Sequence, residues 1–456
     1  MSTELPARDP DPRHDDGLLH ALFSVRRDER PLLLLAFVYF FCVLASYYVL
    51  RPIRDEMGVA GGVSNLPWLF LGTLTVTALV SPLFSRLVSR LPRRAFVAWA
   101  YRTMIGCLIA FWFALKFAPD AAQIWIGRVF FVWLAVFAVF VVSLFWAVMS
   151  DVFATRQAKR LYGVIGAGGT LGGMVGGLLT GWLVHAVGTL PLLLVSAVLL
   201  EAALRAMFAM SARVAASGEA QSRVEREVIG GSVWAGFADV VRSPYLGAIA
   251  VFMLLFTIGS TILYFLQAEI VAREIVDRAA RTAYFAQVDV WVNGLTLVLQ
   301  LVLTGRLMSR IGVGAILALE PLLSIAGFLA LAAAPLLSVV IVMQVLRRTG
   351  NFALTGPARE VLYVPLPREQ KYKAKNFIDT FVFRLGDQLG AWTHTGLAAL
   401  GLGLSGIALV AVPLSAAWLA VAVWLGRRHA RLIPSSLPLP VASVLVPNLA
   451  AQGNRS

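Results

Sequence analysis

Apolar runs of about 20 residues recur from Pro31 to Leu425 with only short polar breaks, and this spacing decides the solvent in which the chain folds. A helix rising about 1.5 Å per residue crosses a hydrocarbon core in about 20 residues, whereas a barrel would show alternating strands of about ten. In hydrocarbon every backbone N–H and C=O must bond internally. The expected fold class is therefore an all-α membrane protein of about twelve transmembrane helices. They are predicted at 31–50, 67–87, 95–117, 129–149, 162–187, 190–210, 245–268, 284–304, 313–333, 335–354, 377–400 and 406–426. With 59% hydrophobic and 14% charged residues, the chain carries more apolar surface than a soluble domain of 456 residues can cover.

Sorting basic residues between spans separates two faces. Arg86, Arg90, Arg93 and Arg94 follow span two, Arg156, Lys159 and Arg160 follow span four, and Arg213, Arg223, Arg226 and Arg242 follow span six. Arg306, Arg310, Arg347, Arg348, Arg359, Arg368, Lys371, Lys373, Lys375, Arg427, Arg428 and Arg431 are assigned to the same side, while the connections at 189–190, 332–336 and 401–406 hold no basic residue. Cytoplasmic loops are rich in Lys and Arg, so both termini are expected inside a bacterial-type cytoplasmic (inner) membrane. The longest polar break divides the spans six and six. The expected organisation is a cytoplasmic segment 1–30, halves 31–210 and 245–426, a linker 211–244, and a Pro- and Ser-bearing tail 427–456 expected to be disordered. A short echo, Ser85-Arg-Leu-Val-Ser-Arg-Leu91 against Gly305-Arg-Leu-Met-Ser-Arg-Ile311, falls at matching places in the two halves, as in transporters built from parallel repeats.

Several function classes are excluded. A net charge of +14 would suggest nucleic acid in a soluble chain, but here it records loop bias. Cys42 and Cys107 fall inside spans and have no metal spacing. Segment 1–30 lacks the layout of a cleavable signal, so the first span is expected to stay. The five histidines are scattered and no nucleophile–base order stands out, so no enzyme, metal or cofactor is expected. Span five opens with eight glycines, Gly163, Gly166, Gly168, Gly169, Gly172, Gly173, Gly176 and Gly177. No Lys-Ser/Thr follows to make a phosphate loop, so these are expected to be close-packing faces with freedom to rock.

Ionisable groups within spans are costly, so those that remain mark candidate sites. Tyr47, Arg51, Arg54 and Asp55 share one face if the first helix continues through Pro52, and two guanidinium forks there suit phosphate or carboxylate. In span eleven Arg384, Asp387 and Gln388 share a face, with Lys375 and Asp379 spaced four apart before them. Arg102, Asp289, Asn293 and Glu320 either line a cavity or find an interhelical partner. Glu201 and Arg205 form an ordinary helix pair.

Three stretches carry a resemblance. Pro357-Ala-Arg-Glu-Val-Leu-Tyr-Val-Pro-Leu366 with Lys371-Tyr-Lys-Ala-Lys-Asn-Phe-Ile-Asp379 and Arg384-Leu-Gly386, Tyr48-Val-Leu-Arg-Pro-Ile-Arg-Asp55, and Ala158-Lys-Arg-Leu-Tyr162 resemble the non-mitochondrial, bacterial and plastid-type ATP/ADP translocases of the major facilitator superfamily. The resemblance implies two pseudo-symmetric six-helix halves that exchange nucleotides without hydrolysis. It places Arg54 where the family has a functional lysine before an aspartate, and matches Lys373, Lys375 and Asp379 to its lysine-rich entry to span eleven. Asp387 departs from it, standing where nucleotide exchangers have a lysine after the glycine, which disfavours a triphosphate.

The expectation is a monomeric secondary transporter of a small anionic solute, foremost a nucleotide, bound by Tyr47, Arg51, Arg54, Asp55, Lys373, Lys375, Asp379 and Arg384, with Asp387 the proton-coupling candidate. The alternatives are a smaller organic anion or drug-like solute, or a non-transporting scaffold or sensor.

Overall fold

A computed structural model describes residues 26, 29–90, 93–153, 155–216, 233–302 and 304–432. Residues 1–25 and 27–28 of the predicted N-terminal segment, 217–232 of the predicted linker 211–244 and 433–456 of the predicted tail 427–456 lie outside the described residues, as do most side chains of the two basic echoes; linker residues 211–216 and 233–242 and tail residues 427–432 are helical, not loop or disordered. The described chain forms helices α1 (Arg30–Ala60), α2 (Leu66–Arg90), α3 (Arg93–Phe117), α4 (Asp120–Val152), α5 (Thr155–Val187), α6 (Leu190–Ala216), α7 (Val233–Arg242), α8 (Pro244–Glu274), α9 (Arg278–Val302) and α10 (Thr304–Ala333). Two composite rods follow, α11 (Leu337–Gly350) with α12 (Gly356–Leu362), and α13 (Arg368–Phe377) with α14 (Phe383–Ala399), before α15 (Leu404–Leu432). Among the described residues ten helices are long and apolar enough to cross a membrane; the composite rods, each carrying one π turn, stand where the other two of the twelve predicted spans fall.

The first π turn, Asn351–Thr355, has a cause in the sequence. Gly356 N–H bonds back five residues to Asn351, and Pro357 has no N–H to continue that register onto the Phe352 carbonyl. The Gln300 side chain donates to that carbonyl instead, at 3.5 Å. Pro52, by contrast, sits inside α1 without ending it, as transmembrane helices allow when neighbours cover the freed groups. The helix runs on to Ala60 and turns at Gly62, whose φ of 90° suits glycine.

Packing divides into regions. One apolar core lies among α1 and α3–α6, and two others lie among α7–α15. A further cluster joins both groups at the face carrying the α1 C terminus: Val59, Leu66, Leu69 and Phe131 meet Tyr264, Phe265, Tyr284 and Phe352. Trp68 and Trp392 meet edge to face there, with centroids 5.2 Å apart, and Arg278 Nε donates to Glu56 Oε1 at 2.7 Å.

The glycines of α5 pack in two directions. A Cβ on Gly172 or Gly176 would lie 2.2 or 2.6 Å from the Phe41 or Ala45 carbonyl of α1, whereas one on Gly173 or Gly177 would meet Asn293 or Val290 of α9 at 2.8 or 2.9 Å. The close-packing faces expected from the sequence are thus two, one within the first helix group and one across to the second.

Candidate functional site: a charged cavity between the helix groups

Because α1 stays helical past Pro52, Arg51, Arg54 and Asp55 turn inward together, each under 5% exposed. Arg51 Nη1 donates to Asp289 Oδ1 of α9, and the Arg51 guanidinium lies 3.9 Å from Asp55. Arg348 of α11 approaches the same Asp289 oxygen at 2.8 Å, so one carboxylate is shared by arginines from both helix groups. Arg54 donates from Nη2 and Nε to Asp55 Oδ1 at 2.8 and 3.1 Å; Tyr264 donates its hydroxyl there at 3.3 Å. The Arg54 guanidinium lies 4.6 Å over the Phe131 ring. The Tyr47 hydroxyl is buried nearby with no hydrogen-bond partner among the described residues.

From α14, Arg384 Nη1 donates to Asp387 Oδ2 at 3.5 Å, and Thr261 Oγ1 donates to Asp387 Oδ1 at 3.2 Å. Arg384 interacts electrostatically with Arg54 and Tyr47 as well. Its Nη2 is buried with no hydrogen-bond partner among the described residues, an arrangement that costs free energy unless a ligand or water meets it. The predicted residues Tyr47, Arg51, Arg54, Asp55, Arg384 and Asp387 thus come together at the centre.

Lys373, Lys375 and Asp379 do not join them. Lys375 Nζ donates to Glu360 at 2.6 Å and Asp379 lies 4.0 Å from Arg359, tying α13 and its π turn to α12. The Lys373 carbonyl is pressed against α7, where a Cβ on Gly236 would sit 2.2 Å away.

Three cations counted above with the basic loops lie buried inside the helix bundle instead. Arg347 and Arg359 are 3% and 2% exposed, and the Arg348 side chain only 15%. Arg347 donates from Nη2 to the Phe256 carbonyl at 3.0 Å and Ser260 Oγ at 2.8 Å, with Glu320 at 3.8 Å from its Nε. The signal was present in the sequence: Gln344, Arg348 and Asn351 are spaced i, i+4, i+7 inside the predicted span 335–354, yet positive charge near a span end reads as loop. Asp289 and Glu320 both find interhelical partners, and Asn293 donates to the Asp289 carbonyl at 2.8 Å. Glu201 and Arg205 pair at 2.7 Å as expected.

Arg54, Arg347, Arg348, Arg384, Glu320 and Asp387 line one cavity with Phe70, Phe131, Phe256 and Phe352; its empty space totals about 800 Å³, open mouth included. Counting the paired groups behind the wall, five arginines face four carboxylates, Asp55, Asp289, Glu320 and Asp387. The centre therefore carries one surplus positive charge beside aromatic faces.

Helices long enough to span a bilayer, gathered in two groups about a charged central cavity, define a secondary transporter of the two-bundle kind. The chain belongs to the Major Facilitator Superfamily, whose family model matches residues 32–371. It is similar to ADP,ATP carrier protein 1 of Chlamydia trachomatis, 21% identical over 82% of this chain and 84% of the carrier, and to that of Chlamydia muridarum, 21% identical over 82% and 83%. Among solved structures it superposes on an auto-inhibited POT family peptide transporter with a TM-score of 0.61 at 14% identity, covering 90% of this chain and 99% of that one. A point mutant of the nucleoside transporter NupG gives 0.56 at 12%, covering 88% and 100%.

Proposed function

We propose that this protein is an alternating-access carrier of a nucleotide or related small anion, held in the central cavity by Arg54 and Arg384. The observation that carries the reading is the buried Arg384 Nη2, a charged donor left over in a wall with one surplus positive charge. A phosphate oxygen satisfies such a donor, and rings such as Phe131 and Phe256 offer stacking surface to a base. The distant relationship to ADP,ATP carriers points the same way.

In this reading the halves 31–210 and 245–426 rock about the α5–α9 seam. Both termini lie in the cytoplasm, because the connections at 189–190, 332–336 and 401–406 hold no basic residue, whereas those of the other face remain rich in Lys and Arg even without Arg347, Arg348 and Arg359. The apolar cluster at the α1 C terminus then closes the outside, and the chain faces inward. Asp387, accepting from Thr261 beside Arg384, is the proton-coupling group.

A second reading keeps the fold and substitutes a smaller organic anion. The single surplus charge favours it, since a triphosphate brings several negative charges to a site that compensates one.

Thermal melting of the purified protein with ATP, ADP, AMP, nucleosides, phosphate and aromatic monocarboxylates tests both, because a ligand of the folded state raises its melting temperature. A shift with a nucleotide that disappears in Arg384→Ala supports the first reading. A shift only with a monocarboxylate supports the second, and no shift with any anion overturns both.

A further inference from the structure

Arg102, an arginine of the third span, belongs neither to the cavity nor to a loop. It stands about two turns inside α3, exposed on the outside of the helix bundle, and no carboxylate pairs with it among the described residues. It borders a groove between α3 and α6 together with Arg94, Trp99, Thr103 and Phe208. Arg94, in the first turn of α3, is exposed as well and lies 5.1 Å over the Phe208 ring. Trp99, 59% exposed, separates the two arginines, which are about 12 Å apart along the helix axis. The carboxylate of Glu201 on α6 is engaged by Arg205 at 2.7 Å.

An arginine on the lipid-facing side of a span is costly unless a headgroup or water reaches it. A guanidinium fork fits phosphate oxygens, a helix N-terminus adds free N–H donors, and an indole settles at the boundary between headgroups and chains. Basic grooves between transmembrane helices meet these needs with an anionic headgroup.

We propose that the α3/α6 groove binds an anionic phospholipid from the leaflet on the face where α3 begins. Arg94 takes the phosphodiester at the mouth of the groove. Arg102 donates to the ester carbonyls of the same lipid, deeper in, and its acyl chains lie along Trp99 and Phe208. The groove lies on the outer wall of the first helix group, so the lipid is a fixed companion of that group rather than cargo of the cavity.

The test is thermal melting of the full chain in phosphatidylcholine nanodiscs with and without phosphatidylglycerol, for wild type and Arg94→Gln/Arg102→Gln. Phosphatidylglycerol is expected to raise the wild-type melting temperature by several degrees. The double variant should lose most of that increment while matching wild type in phosphatidylcholine alone. An equal increment in the double variant overturns the proposal. So does an equal stabilisation by inorganic phosphate in detergent that the same substitutions remove, which would mark a soluble-anion site. Should the variant melt lower in phosphatidylcholine, native mass spectrometry decides: one fewer retained phosphatidylglycerol per chain supports the site, and an equal number overturns it.

Discussion

Two clusters of charged side chains, one between α12 and α13 with its π turn and one at the centre between the helix groups, divide their charge differently. Near the face where α8 begins and α15 ends, Lys375 meets Glu360 and Arg359 meets Asp379, one cation to one anion. At the centre Asp289 answers both Arg51 and Arg348, and Arg384 keeps an N–H without a partner among the described residues. A cluster that pairs its charges one to one fastens helices together; one with a surplus cation has a free-energy reason to take up an anion. The resemblance-based assignment treated Lys375, Asp379 and Arg384 alike, and geometry separates them.

The largest effect should come from Asp289→Asn, which removes the carboxylate that two buried guanidinium groups share. A loss of about 3 kcal/mol is expected, read as a sharp fall in melting temperature in detergent. Partial recovery in Asp289→Asn/Arg348→Gln would tie the loss to the shared carboxylate, and an unchanged melting temperature would remove the contrast between the clusters. Asp387→Asn comes next: the fold should persist, uptake into proteoliposomes should fall about tenfold, and its dependence on pH should disappear. Undiminished, pH-independent uptake would leave Asp387 a structural partner of Arg384 only. The smallest effect belongs to Lys375→Ala, about 1 kcal/mol for a half-buried pair, with ligand-induced stabilisation intact. Loss of ligand binding there would return the lysine-rich entry to the site.

The class of fold was legible because span length and backbone satisfaction leave few solutions in hydrocarbon. Arg51, Arg54 and Asp55 were legible through helical spacing, on the condition that Pro52 did not break the helix. The sharing of Asp289 was not, because it joins residues 238 apart and depends on how the two helix groups meet. Arg347 and Arg348 escaped because sequence alone cannot tell a cation at the end of a span from one inside a helix, and the π turn at Asn351 that follows them is announced only by Pro357. Arg102 was expected to line the cavity or meet an interhelical partner, and among the described residues it does neither, because its outward direction depends on how α3 is rotated against α6.

The two-sided glycine packing of α5 has a mechanical consequence. At Gly173 and Gly177 the bare ribbon of one helix bears on its neighbour by shape alone, so slippage there breaks no directional bond at those positions. On the opposite flank Gly172 and Gly176 clamp the ribbon to α1. The helix is thereby mounted on α1 and bears on α9 largely by shape, with the Thr170 hydroxyl donating to Gln300 of α9 at 3.5 Å further along, and a single added methyl would jam the bearing on one side or loosen the mounting on the other.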